Sequence, residues 1–461
     1  MKFRFYLTAL VLLPASCMLG PDFKFPPATG GTKWKEGTAV SDSRLPDQWW
    51  KLFGDAKLDR LVGRSLAANN DLAATKARVD MARALVGVDQ ARLFPTLDLS
   101  GGADIARSSG NVYRNPGINL ERKSFRGSFN LAYDPDLWGR NKRLLESSTA
   151  QAAATQAGYD SQRLGLATEV ARQYFVLRGL DEQDAVLRDT LASRQEALDI
   201  QKTKTDAGLT DGLATSSART ELELARNDLA LVERQRGSAE HALAVLCGTR
   251  PADFDVPVAT TPRTLPKIRP GLPAAVLFRR PDVRAAAQQL RSANALIGVA
   301  ETAFYPNFNL LGGAGLESLS TSNFLDWESR ILSLGAGVAM PLLDHGANQS
   351  HLDAARSGYD EALANYRQTL LIALREVEDA LVDLQGLAKS RSALDAALAS
   401  ARETRQLTQE RYNEGLTSYL DVVNADRTVL QIRLSIAVID AQQRISLAAL
   451  AKALGGGWSG K

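Results

Sequence analysis

Thr205-Asp206-Ala207-Gly208-Leu209-Thr210 returns 207 residues later as Tyr412-Asn413-Glu414-Gly415-Leu416-Thr417. The same offset joins Gly139 to Gly346, Asn141 to Asn348, Tyr159 to Tyr366, Glu169-Val170 to Glu376-Val377 and Gly248 to Gly455, with no gap needed. Upstream the offset becomes 211, joining Asp71 to Asp282, Ala84-Leu85 to Ala295-Leu296, Gly87-Val88 to Gly298-Val299 and Pro95 to Pro306. The four-residue change therefore falls between Pro95 and Gly139. The chain is a duplicated unit.

Proline placement says what each unit is made of. No proline occurs between Pro135 and Pro251, and none after Pro341. Both windows are rich in Ala, Leu, Glu, Gln and Arg, the residues that favour helix. Each unit parses alike: a first helix over 57–92 or 273–303, a two-stranded section, a helix of about 60 residues (145–204 in the first unit), a turn at Gly208 or Gly415, and a helix of about 35 residues. At 1.5 Å per residue, a 60-residue helix is about 90 Å long, a rod. Leu370, Leu374, Val377, Leu381 and Leu384 step by four and three, the spacing of a coiled-coil seam. Val170, Tyr174 and Leu177 hold the equivalent places in the first unit. Helices alone leave open a solvated antiparallel coiled coil with no further role.

The inter-helix sections argue against that. Leu97, Leu99, Gly101, Ala103 and Ile105 alternate with Thr96, Asp98, Ser100 and Asp104. Phe125, Gly127, Phe129, Leu131 and Tyr133 alternate with Arg126, Ser128 and Asn130. The second unit offers Phe308, Leu310, Gly312, Ala314 and Leu316, then Leu332, Leu334, Ala336, Val338 and Met340. Four strands, at about 96–106, 124–134, 307–317 and 330–341, have the length of tilted transmembrane β-strands. A lipid-facing sheet tolerates no open edge, and the smallest membrane barrels have about eight strands. Several chains must then share one barrel. A small soluble sheet packed on the helices is the competing reading.

Composition narrows the rest. The 461 residues include 55 Lys plus Arg against 52 Asp plus Glu, so no basic surface argues for nucleic acid. Two cysteines and three histidines exclude a disulfide framework and a Cys/His zinc cluster. His241, His345 and His351 are not spaced as ligands on one helix face, and Cys247 reads as a small buried residue near a helix end. Past residue 16 no apolar run is long enough for a membrane-spanning helix. At the start, Lys2 and Arg4 precede an apolar core from Phe5 to Leu13, and Pro14-Ala15-Ser16 leads into Cys17. This reads as a lipoprotein signal peptide over 1–16, with Cys17 acylated and Met18 in place of the aspartate that retains lipoproteins at the inner membrane. Pro14 departs from the aliphatic residue usual there. The expected divisions are an anchored segment over 17–56, repeats over 57–248 and 274–461, and a Pro-rich linker over 249–273.

Several short stretches, in order, resemble one family. They are Cys17-Met18-Leu19-Gly20-Pro21-Asp22-Phe23, Trp49-Trp50-Lys51-Leu52-Phe53-Gly54-Asp55, Arg280-Pro281-Asp282-Val283-Arg284, Arg411-Tyr412-Asn413-Glu414-Gly415 and Tyr419-Leu420-Asp421-Val422-Val423-Asn424-Ala425. Nearly the whole mature chain resembles the TolC-type outer-membrane factors, in the NodT/OprM-like branch of efflux lipoproteins. The resemblance implies a mainly α fold with a small β part. Long antiparallel coiled-coil helices would form a periplasmic α-barrel, and four strands per chain would join a trimeric twelve-stranded transmembrane β-barrel. It also implies a homotrimer in the outer membrane of a Gram-negative bacterium, anchored to outer-membrane lipid, with a periplasmic adaptor and an inner-membrane pump of the RND type as partners. The implied function is a passive duct for small molecules such as drugs and toxic compounds.

The resemblance places a gate at the turns Asp206 to Thr215 and Asn413 to Asn424. Tyr412 resembles the tyrosine of the gate contacts, and Asp421 sits where members place a pore-facing acid. Three copies of Asp421 would form a ring favouring cations, with mutual repulsion raising its pKa. Asn424 stands where some members have a second acid, Thr417 replaces a basic residue, and Ala214 occupies the first unit's common aspartate position. No phosphate loop, GxSxG elbow or HExxH pair is present, and no catalytic, cofactor or metal residue is expected. A protein-secretion duct of the same architecture, and a periplasmic coiled-coil adaptor without membrane strands, remain as alternatives.

Overall fold

The computed structural model describes residues 18–26, 34–35, 45–109, 111, 121–259, 265–266, 268, 273, 277 and 279–457. Its main elements are helices α1 (Ala56–Ala68) and α2 (Asn70–Ala91), strands β1 (Thr96–Arg107) and β2 (Glu121–Tyr133), and helices α3 (Arg140–Asp206) and α4 (Gly212–Leu246). The second half supplies α5 (Pro281–Thr302), β3 (Asn307–Ser318), β4 (Arg330–Ala339), α6 (Ala347–Asn413) and α7 (Tyr419–Ala453). The duplication is reproduced to the residue in three helix pairs and the first strand pair, while β2 has 13 residues and β4 has 10. Helices α3 and α6 each have 67 residues, α4 and α7 each have 35, α2 and α5 each have 22, and β1 and β3 each have 12. Because β1 and β3 still keep the 211 offset, the four-residue change lies in the first hairpin loop, after Arg107 and before Gly139.

Several sequence expectations need correction. The first helix, expected unbroken over 57–92, is interrupted at Asn69, whose backbone is extended (φ −72°, ψ 124°). The Asn69 side chain stabilises the break: Nδ2 donates to the Leu246 carbonyl at 3.1 Å, and Oδ1 accepts from the Leu72 N–H at 2.9 Å. In the second half the equivalent break is at Arg280, before Pro281, where the proline ring disfavours helix for the preceding residue. The helix expected over 273–303 thus has its described continuous part at Pro281–Thr302. The long helix expected over 145–204 begins earlier, at Arg140, because the Asp136 carboxylate accepts from the N–H groups of Asn141 (3.0 Å) and Lys142 (2.9 Å) and caps the first turn. Strand β2 starts at Glu121 and β4 stops at Ala339 rather than 341. All of the signal peptide, and residues 260–264, 267 and 269–272 of the expected Pro-rich linker, lie outside the described residues.

The chain divides into two compact units. One comprises Met1–Pro26, Arg78–Thr155 and Ala285–Tyr366, and contains all four strands. They form one antiparallel sheet in the order β1-β2-β3-β4. The register puts Leu97 opposite Leu131, Leu99 opposite Phe129, Phe129 opposite Ala314 and Ala314 opposite Leu332. The apolar sets of all four strands therefore share one face, as their alternation requires. That face is bare in the single chain: Leu99 is 73%, Leu332 86% and Leu334 89% exposed. The other face is polar and internally bonded, with Ser100 Oγ 3.1 Å from Ser128 Oγ and Asn130 Nδ2 donating to Ser100 Oγ at 2.8 Å.

The other unit comprises Pro27–Ala77, Gln156–Arg284 and Arg367–Lys461. Its core gathers Trp49, Phe53, Leu58, Tyr174, Phe175 and Leu177 with Leu243 and Leu447. Val377 and Leu381 of the expected seam are buried with Leu450 and Leu454. Of the stretches that carried the family resemblance, 49–55 supplies part of this core and 280–284 an ion-pair cluster in the same unit. Trp49 is fully buried, and the Arg280 guanidinium reaches Asp282 (2.6 Å), Glu376 (2.7 Å) and the Ala453 carbonyl (3.1 Å). Ion pairs Arg194–Glu221, Arg188–Glu233 and Arg236–Asp181 fix α3 and α4 as antiparallel neighbours. Arg391–Asp440 and Arg405–Asp426 do the same for α6 and α7.

Candidate functional site

The two inter-helix turns are built by one device. Gly208 and Gly415 take φ of 71° and 76°, a left-handed backbone that glycine adopts without a Cβ penalty. Leu209 N–H donates to the Lys204 carbonyl at 2.9 Å, and Leu416 N–H to the Arg411 carbonyl at 2.8 Å. The N–H groups of Gly208 and Gly415 donate at 3.0 Å to the Thr205 and Tyr412 carbonyls. These paired bonds are a Schellman ending, which satisfies carbonyls the helix leaves free.

The two turns lead into their next helices differently. In the first unit Asp211 precedes α4 and its carboxylate accepts from the Leu213 N–H at 3.2 Å. In the second, Ser418 precedes α7, and the capping acid is Asp421, three residues on. The Asp421 carboxylate accepts from Thr417 Oγ1 (2.6 Å), Ser418 Oγ (2.7 Å) and the Ser418 N–H (3.1 Å). Within the chain these bonds hold the Asp421 carboxyl below the usual carboxylate range, led by the Thr417 hydroxyl. That is the opposite direction from the one expected for a ring of like charges, because donors inside the same turn already stabilise the anion. Thr417 and Asp421 are thus brought together. Asn424 lies one turn further along α7 and is exposed, and its carbonyl accepts from Thr428 Oγ1 at 2.9 Å.

Tyr412 faces the first unit. Its hydroxyl donates to Gln201 Oε1 at 3.2 Å, Lys204 Nζ stands 4.8 Å from its ring centroid, and the Tyr419 ring lies 5.6 Å away. Burial, the nearby Asp426 carboxylate and Tyr412 itself push the Tyr419 phenol up to about 12. A cavity of about 340 Å³ opens beside this pair, lined by Asp189, Arg194, Ile200, Arg405, Tyr419 and Asp426 among others.

A buried link between the halves was not expected from the sequence. Glu221, buried on α4, receives Arg194 of α3 at 2.9 Å and Arg427 of α7, whose Nε lies 3.0 Å from Oε1. Arg433 of α7 adds a 2.7 Å pair with Asp189. A signal did exist: Ala218, Leu222 and Ala225 form a buried stripe of step four and three, and Glu221 sits on it at the i+3 place. A carboxylate on such a stripe needs a partner. The cation that reaches it from the other half, Arg427, cannot be assigned by local spacing.

Of the remaining expected residues, Cys17 lies outside the described residues. Cys247 is buried at the end of α4, where desolvation pushes its thiol up. His241, His345 and His351 are all exposed.

Strands of membrane-crossing length with one bare apolar face, carried by the same chain as duplicated long helix pairs, define a subunit of an outer-membrane channel. The family model described as outer membrane efflux protein matches residues 61–249 and 272–456, and the chain belongs to that family. It is 31% identical to the outer membrane protein OprJ of Pseudomonas aeruginosa, over 98% of this chain and 95% of that one. It is also 31% identical to the solvent efflux pump outer membrane protein SrpC of Pseudomonas putida, over 100% and 99%. Among solved structures, the outer-membrane channel OprN is 30% identical with a TM-score of 0.87, covering 96% of this chain and 100% of that chain. The MtrE outer membrane channel of Neisseria gonorrhoeae, in its open state, is 26% identical with a TM-score of 0.84, covering 96% and 98%.

Proposed function

We propose that the chain is one third of a passive, lipid-anchored exit duct for small molecules, completed by two further copies. It would be fed through a periplasmic adaptor by an inner-membrane pump of the RND type. The observation that carries this reading is the four-stranded sheet with β1 and β4 at its edges and an apolar face turned outward. In hydrocarbon each unpaired backbone group costs several kcal/mol, so both edges need strands from neighbouring copies. Three copies of four strands give twelve, within the range of known membrane barrels. The polar Ser100, Ser128 and Asn130 face would then line the lumen. Small-molecule cargo is supported by relatives named as solvent and toluene efflux pump proteins. Tyr412, Thr417, Asp421 and Asn424 are proposed as the residues that set the width and charge of the periplasmic opening, and Cys17 as the acylation point.

The test is cross-linking in intact cells followed by purification. Recovery of a heat-modifiable trimer together with an adaptor and a proton-driven transporter is the expected result. Recovery of an ATP-driven exporter with a secreted protein would replace small-molecule efflux by protein secretion. A monomer released from membranes by salt would contradict the duct altogether.

A further inference from the structure

The strand-bearing unit holds its own N-terminal stretch in a built site. Arg143, on the first turn of α3, is 1% exposed, yet most of its bonds go to residues 19–22. Nε donates to the Leu19 carbonyl at 2.9 Å, and Nη2 to the Gly20 carbonyl at 3.0 Å and to Asp22 Oδ1 at 3.2 Å. Glu146 balances the charge at 2.8 Å. From the second half, α5 contributes Asn294, whose Nδ2 donates to the Pro21 carbonyl at 2.7 Å. Glycine permits the close approach: a Cβ on Gly20 (φ +91°) would stand 2.4 Å from Gly298 Cα, and one on Gly298 would stand 2.8 Å from the Leu19 carbonyl. Met18 ends the strap against Gly139, where a Cβ would fall 2.9 Å from Met18 Cγ, and Leu19 N–H bonds the Trp138 carbonyl at 3.2 Å.

Met18 therefore docks at one end of the sheet. Trp138 comes after β2, Phe94 precedes β1, and Phe304 and Tyr305 precede β3; Trp138 and Tyr305 pair at 5.0 Å. Phe94, Phe304 and Tyr305 are exposed there. Aromatic side chains gather at the headgroup level of a membrane, so this end of the sheet marks an interface. Fixing Met18 fixes the attachment of an acyl group on the preceding residue to within one Cα step, about 3.8 Å.

We infer that Arg143, Asn294 and Gly298 form a clasp for the strap Met18–Asp22, which holds the anchored end of the chain at the headgroup level, so that anchor and strands enter the membrane in fixed register. Arg143 acts as a positioning residue. The inference rests on acylation of Cys17 for the anchor, but not for the clasp.

A nitroxide on Lys24→Cys, an exposed position beyond the clasp, reads strap mobility in the purified protein; radiolabelled palmitate reads acylation, and heat-resistant trimer in the outer membrane reads insertion. Arg143→Gln removes charged bonds worth about 1.5–3 kcal/mol each, so the strap should be released at least about tenfold more often. Gly20→Val should do the same from the strap side by colliding with Gly298, with no residue of α3 or α5 substituted. Both variants should show a fast spectral component and lower trimer yield, with palmitate per chain unchanged. An immobile label and unchanged yield in both variants would overturn the clasp. Wild-type protein without palmitate would overturn the anchoring role, while the label still decides whether the clasp exists.

Discussion

The two turns that end α3 and α6 share a backbone and little else. Gly208 and Gly415 sit at nearly the same φ, make the same bonds and join helices of the same lengths. Yet Thr205 in the first half stands where the second has Tyr412, Ala214 where it has Asp421, and Glu221 where it has Thr428. Duplication kept the positions that glycine geometry and helix length control. It left the solvent-facing and inter-half chemistry free to diverge, so the first turn is capped by Asp211 and leads to a buried acid on α4, while the second carries an aromatic pair and takes its capping acid from Asp421, inside α7.

The largest test of that comparison lies at the other end of the helix pairs. Gly248 and Gly455 are repeat equivalents with φ of 63° and 88°. A Cβ on Gly248 would stand 2.1 Å from the Ala68 carbonyl, whereas one on Gly455 would meet the Arg279 carbonyl at 3.2 Å. Gly248→Ala should cost about 4 kcal/mol, combining left-handed strain with overpacking, and Gly455→Ala about 2 kcal/mol. Guanidinium unfolding of the detergent-solubilised protein measures both, and equal losses would mean that the repeats are energetically as well as geometrically alike.

Next comes Glu221→Ala, which leaves the largely buried Arg194 with only the residue-221 carbonyl of its two Glu221 partners and should cost about 3 kcal/mol in the same assay. Adding Thr428→Glu, the repeat-equivalent acid, should restore nothing, since Arg194 has Ala401 as its counterpart. Recovery in the double variant would show that the two halves exchange partners freely.

A smaller effect is expected at Asp421. Its folded pKa is depressed below the ordinary 3.8, so its stabilisation is present above that pH and is lost as pH falls through the folded value. Wild type and Asp421→Asn should therefore differ in stability at pH 6 and converge once the pH has fallen below the depressed folded value. Ala214→Asp should introduce the same acid-side dependence into the first half if the shared backbone suffices to build it. The smallest signal is spectroscopic. With its phenol pushed up to about 12, Tyr419 should still be protonated at pH 11, so Tyr419→Phe should leave the phenolate absorbance at that pH nearly unchanged.

The repeat also explains what could be read without coordinates. Strand faces were legible because alternation at Leu97–Ile105 and Phe308–Leu316 fixes register by itself. Helix lengths came from the constant 207 offset and the proline-free windows. The break at Asn69 was legible in principle, since Pro281 interrupts the equivalent helix and the 211 offset carries that interruption back to Asn69 and Asn70. The tip was harder. Thr417, Ser418 and Asp421 form a local cap that spacing can reveal, but Gln201, Lys204 and Arg427 meet their partners across about 206 to 211 residues of chain. Such pairs depend on how the halves pack, which helix periodicity does not encode.

The central claim is that a four-stranded sheet completes its edges with copies of itself. Leu99→Cys on β1, paired in turn with single cysteines along β4 in the same chain, tests it in whole cells by non-reducing electrophoresis. Strands β1 and β4 lie at opposite edges of one sheet, so a disulfide between them must join neighbours. The account predicts that at least one β4 position yields a ladder of monomer, dimer and trimer that stops at three. A ladder running past three, or no intermolecular disulfide at any β4 position while the sheet remains folded, would contradict it.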